Sequence, residues 1–157
     1  MGLAILGGII FAFAVWRISR AVHVEGNGDK VTLSTPGGSI STSNSQTYSA
    51  SDLGTDVYPG AQNGHGSMKM DLPTGSMVTA VFVTSDSKDQ VAQYYKNKLG
   101  SGASVMDTPE TTIITLVKGD HEKGDDESVM VTITANSSQN EGKTKIAIVH
   151  SKSRKSS

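Results

Sequence analysis

The chain contains no cysteine, which removes disulfides, thiolate catalysis and cysteine-based zinc sites and is neutral as to redox compartment. Aromatic residues are scarce, 5% of 157 with a single tryptophan, and only 36% of residues are hydrophobic, so the core is modest. Neither sign of charge dominates: 14 Lys and Arg stand against 15 Asp and Glu, a net charge of −1. Without a single-sign field there is no electrostatic signature of nucleic-acid binding. Signatures of chemistry are missing too. No G-x-S-x-G elbow activates a serine, and His23, His65, His121 and His150 share no metal-ligand spacing. No catalytic, cofactor-binding or metal-ligating residue is therefore assigned, and the expectation is a protein that is not an enzyme.

What the chain does have begins at its first residue. Residues 1–16 (MGLAILGGIIFAFAVW) carry no charged side chain, and Arg17 and Arg20 close the run. As a helix, eighteen residues span roughly 27 Å, slightly short of a hydrocarbon core of about 30 Å, and arginine side chains that snorkel make up the difference. The eight strongly apolar side chains contribute roughly −2.4 to −4.8 kcal/mol towards insertion, with no charge opposing them. The reading is a single transmembrane helix over residues 1–20, with Trp16, Arg17 and Arg20 at the membrane interface. Ala12-Phe13-Ala14 has the small-x-small form of a signal-peptide cleavage site, but no charged segment precedes the apolar run. Ala4, Gly8 and Ala12 recur every four residues, the spacing that lets two helices approach closely. This face points to docking on other membrane protein subunits, with self-association as the alternative.

Beyond the anchor, alternation of apolar and polar residues dominates. Residues 21–51 read as a juxtamembrane β-hairpin or meander followed by a polar, Ser/Thr-rich linker. Residues 52–151 read as an α+β domain. Met68, Met70 and Leu72 alternate with polar neighbours, and residues 77–84 (MVTAVFVT) are the most apolar strand outside the anchor. A helix follows. Ser87 and Gln90 form a capping-box pattern, Val91, Tyr95 and Leu99 fall on one face, and Gly100 ends it. Three strands close the domain at residues 111–118, 128–135 and 144–150, the last two with Val129, Val131, Ile133, Ile146 and Ile148 inward. The order β-β-α-β-β-β predicts an antiparallel sheet with one packed helix. Residues 152–157 read as a basic, frayed tail.

The succession Leu53-Gly54, Val57-Tyr58-Pro59-Gly60-Ala61, Thr84-Ser85-Asp86-Ser87 and Tyr94-Tyr95-Lys96 with Leu99 resembles a domain of uncharacterised bacterial membrane-anchored or secreted proteins. In that pattern a YPGA turn precedes a TSDS helix start that ends in YYKxKL. The resemblance covers roughly a third of the chain and implies a non-enzymatic accessory domain behind a single span, usually outside the cytoplasm. Arg17 and Arg20, by the positive-inside rule, favour the cytoplasmic side instead; the resemblance tips the expectation to an extracytoplasmic, periplasmic domain.

The functional expectation is a single-span accessory or structural subunit that docks through its helix on a larger membrane complex. One alternative is a pilin-like filament subunit, although Ile5 stands where pilins carry glutamate and the helix is far shorter. Another is a membrane-tethered ligand- or metal-binding module built from residues 60–66 (GAQNGHG) and the acidic stretch 120–127. That stretch lacks calcium-loop spacing and carries Lys123 among its carboxylates, so a solvated hairpin tip is the favoured reading.

Overall fold

Runs of β-branched residues with period-two alternation dictate most of the architecture. The computed structural model describes residues 23–27, 30–43, 47–120, 125–135 and 142–153. It is an α+β fold, a β-rich antiparallel sheet with few helices. A meander of β1 (His23–Asn27), β2 (Lys30–Thr35) and β3 (Gly38–Ser43) leads to a short helix α1 (Ala50–Leu53). Then come β4 (Gln62–Asn63), β5 (Met68–Leu72), β6 (Gly75–Thr84) and helix α2 (Lys88–Leu99). The chain closes with β7 (Ser104–Asp107), β8 (Thr111–Asp120), β9 (Asp125–Thr134) and β10 (Thr144–Ser153). The strands make one sheet in the order β1-β2-β3-β5-β6-β10-β9-β8-β7, with β4 also paired to β6. The meander joins it through β3, where Ile40 faces Met70 across the β3–β5 pair.

The core lies between one face of this sheet and the two helices. Val78, Ala80 and Phe82 of β6, Val131 and Ile133 of β9, and Ile146 and Ile148 of β10 are buried there. Against them α2 lays Val91, Ala92, Tyr95 and Leu99. The i, i+4, i+8 spacing is what brings these side chains to a single stripe. Ser87 caps α2 as its sequence predicts: its hydroxyl accepts from Gln90 N, while Gln90 Oε1 accepts from Ser87 N at 3.1 Å. Replacing Ser87 with alanine is expected to cost about 1 kcal/mol, read as a lower urea midpoint at unchanged slope. At its start α2 is also tied to β7. Lys88 Nζ lies 2.8 Å and Thr112 Oγ1 2.6 Å from Asp107 Oδ1. Lys88, then Thr112, hold the Asp107 carboxyl down at about 2.

Several elements depart from the order β-β-α-β-β-β. α1, β4 and β7 are additional. β7 exists because Val105 and Met106 pair with Ile114 and Ile113 of β8, a long-range support that four residues cannot advertise alone. The stretch read as a polar linker ends in ordered structure: Tyr48 is buried, and Ser49 caps α1 in a capping box with Asp52. The acidic loop is shorter than expected, since β8 runs through Asp120 and β9 starts at Asp125, with those two residues paired. The basic tail likewise begins later, because Lys152 and Ser153 pair with Ser76 and Gly75 of β6. Residues 1–22, including Ala4, Gly8, Ala12, Trp16, Arg17 and Arg20, lie outside the described residues, as do 121–124 and 154–157. Among the described residues no helix is long and apolar enough to cross a membrane.

Candidate functional site

Strand register sorts every residue of the sheet onto one of two faces. The helices cover the face described above. On the other face, β6 presents Met77, Thr79, Val81 and Val83, and β10 presents Lys145, Ala147, Val149 and Ser151 opposite them. β9 adds Ser128, Met130 and Thr132, while β8 adds Ile113, Thr115 and Val117. Met68 and Met70 of β5, Ile40 of β3 and Met106 of β7 extend it to both sides. Neither helix packs here. Among the described residues, the loop at residues 64–66 reaches over a corner: a Cβ on Gly64 would stand 2.9 Å from Val81 Cγ1, and Val81 is buried.

The composition of this open face is unusual for a solvated sheet. Alternation normally sets charged residues on the wet side of an antiparallel sheet, but here, apart from Lys145, Ala147 and Asp126, the positions on β6, β8, β9 and β10 are chiefly methionine, valine, isoleucine, threonine and serine. Of the six methionines in the chain, all but Met1 lie on it. Methionine is a poor specifier of a core and a good adaptable contact at binding surfaces. Met106 is 65% and Val117 56% exposed, so the apolar character reaches solvent rather than a neighbour. Contiguous apolar patches of this kind are rare on monomeric soluble proteins. At one end lies a groove of about 410 Å³ whose lining includes Met70, Leu72, Met77, Ser128, Ser151 and Lys152.

On the covered face, His150 is held at both of its ring nitrogens. His150 follows Ile146 and Ile148 inward on β10 and is 4% exposed. Its Nδ1 lies 2.6 Å from the Asp52 carbonyl oxygen and its Nε2 lies 2.6 Å from Glu127 Oε1. A carbonyl oxygen only accepts, so Nδ1 carries a proton. The Glu127 carboxyl is held below the usual carboxylate range: the hydrogen bond from His150 outweighs the opposing effect of burial, and the Lys152 ammonium adds to it. With both nitrogens occupied, His150 has none facing a substrate. Its role is to clasp α1 to β9 and β10, and Gly54 makes room for it. Gly54 has φ of 66°, and a Cβ there would stand 2.5 Å from Val129 Cγ2 and 3.0 Å from the His150 ring.

The turn at residues 57–61 and the start of α2 enclose a polar hollow of about 330 Å³ lined by Gly60, Gln62, Thr84, Asp86 and Lys143. Tyr58 stands beside it. Its hydroxyl donates to Asp86 Oδ2 at 2.6 Å, which raises the phenol's pKa, and its ring meets Tyr94 edge-on at 5.2 Å. Among the described residues no group of His, Asp and Glu is placed to hold a metal ion. His65 is exposed and stands apart from His150. The acidic stretch contributes Glu127 to the histidine clasp, a role that composition did not reveal. The parity of His150 with Ile146 and Ile148 was the available signal. Protein-family models, curated proteins and solved structures give no significant match to this chain.

Proposed function

We propose that the protein is a membrane-anchored accessory subunit that works by contact rather than by chemistry. Its apolar N-terminal run holds it in the bilayer and docks on other membrane subunits through the Ala4, Gly8 and Ala12 face. The β-rich domain, placed on the extracytoplasmic side, meets neighbours through the open face of its sheet. The observation that carries this reading is that face, which is broad, methionine-rich and nearly free of charge. It is what an interaction domain presents and what a solvated domain avoids. The clasped His150, with neither nitrogen available, supports the non-enzymatic half of the reading.

Membrane fractionation of the full chain tests the anchor. The chain is expected to stay with the membrane through alkaline carbonate washing, and Ile9→Lys, which sets a charge mid-span, is expected to move most of it to the soluble fraction. Recovery of the unaltered chain in the soluble fraction would sink the anchor. The polar hollow beside Asp86 and Lys143 favours a second reading, a tethered ligand-binding module. A thermal shift of several degrees with small glycans or divalent ions would promote that reading, and a flat response would remove it.

A further inference from the structure

We infer that the occupant of the open sheet face is a second copy of the same chain, packed face to face with its strands running antiparallel to the first. This deepens the contact function proposed above, since it names the partner. Three observations lead to it.

The first is size. At about 4.8 Å between strands and about 3.3 Å per residue, β6, β8, β9 and β10 present roughly 600 Å² of face, and β3 and β5 bring this to about 800 Å². That is about the area each partner contributes to a stable standard interface. The second is chemistry. A face of Met, Val, Ile, Thr and Ser is self-complementary: paired with itself it buries apolar side chains and lets hydroxyls find hydroxyls, with no carboxylate or ammonium at its centre. Sheets stack this way about 10 Å apart with strand directions about 30° from alignment.

The third is charge, and it fixes the sense of the pairing. Among the described residues of the β6, β8, β9 and β10 face, the charged positions are Lys145 and Asp126. They stand at opposite ends, for Lys145 pairs with Thr134 at the far end of β9 while Asp126 lies at its start. A two-fold axis parallel to the strands would set Lys145 over Lys145. An axis across the strands sets Lys145 of one copy over the Asp126 end of the other and brings Val149, midway along β10, close to its own counterpart. Like charges disfavour the first arrangement, and opposite charges favour the second.

Because the chain has no cysteine, single introduced cysteines report the contact without background. Full-length protein in mild detergent, treated with a short bis-maleimide, is expected to give a covalent dimer with Val149→Cys and none with Gln93→Cys, which lies on the exposed side of α2. Lys145→Cys mixed with Ser128→Cys is expected to cross-link between the two species, while Lys145→Cys alone gives at least about tenfold less product. Met130→Lys, at the centre of the face, is expected to raise the dimer dissociation constant about tenfold or more, with an unchanged circular dichroism spectrum showing that the fold persists. Gly8→Leu separates this contact from helix packing, since it is expected to leave the Val149→Cys product intact.

Absence of the Val149→Cys product with a monomeric mass, or loss of that product in the Gly8→Leu background, would overturn the dimer. Strong product from Lys145→Cys alone would overturn its antiparallel sense. Protection of Val149→Cys from a water-soluble maleimide by phospholipid vesicles, at concentrations too dilute for cross-linking, would assign the face to the bilayer and likewise overturn the dimer. The anchor is judged separately. A chain that stays with the membrane and gives no product defeats the dimer alone, and one that is released from the membrane and gives product defeats the anchor alone.

Discussion

Tyr95→Ala is expected to lower the stability of the domain by about 3–5 kcal/mol, a large part of what a domain of this size possesses. The side chain is fully buried at the centre of the α2 stripe. It therefore supplies both a large apolar surface and the volume that keeps α2 off the sheet. Its hydroxyl acts separately from the ring, accepting the Tyr58 backbone N–H at 3.0 Å and so fixing the turn that carries Tyr58 and Pro59. Burial raises the Tyr95 pKa, so the group stays a neutral phenol throughout the working pH range. Tyr95→Phe keeps the ring and removes only the acceptor, for an expected loss of about 1–3 kcal/mol. Urea denaturation followed by circular dichroism separates the two. Equal midpoints for the alanine and phenylalanine variants would show that the ring contributes little, contrary to this account of the core.

How much of this was legible in the residues depends on how local each cause is. α2 is written locally at every point: its cap, its buried stripe and its glycine stop lie within fourteen consecutive residues, Ser87 to Gly100. The inward positions of β6, β9 and β10 are also local, because side-chain period alone assigns them. β7 was not legible, since Val105 and Met106 become a strand only against β8. α1 was hidden in a stretch rich in Ser and Thr, although Ser49 and Asp52 do carry the capping-box spacing. The open face was half legible. Met68 and Met70 alternate visibly, but that they line up with Met77 and Met130 follows from strand order and register, which single segments do not state.

The sheet thus has two faces built on different rules. One is filled with Ile, Val, Phe and Tyr, residues with few rotamers that specify a packed core. The other takes Met68, Met70, Met77, Met106 and Met130, whose unbranched side chains are adaptable rather than specifying. The histidine clasp belongs to the first kind and secures the covered side.

His150→Leu is expected to cost about 2–4 kcal/mol at neutral pH, because it leaves the Asp52 carbonyl without its donor and removes the charged hydrogen bond to Glu127. The cost stays below that of a fully buried broken ion pair, since the Glu127 side chain is 38% exposed and keeps Lys152 at 3.5 Å. The pH dependence identifies the cause. Folding lowers the Glu127 pKa, so the unfolded chain binds that proton more readily than the folded one. The stabilisation is therefore complete above the ordinary glutamate value and is lost as pH falls through the lowered one. Asp107 contributes a similar loss at still lower pH, down to about 2, but it does so in both proteins and cancels from their difference. The Glu127 contribution to the gap between unaltered protein and variant should consequently be lost as pH falls below about 4.3. Urea titrations at stepped pH measure it, and a gap that stays constant down to pH values near 3 would show that His150 acts by its volume and not by its bond to Glu127.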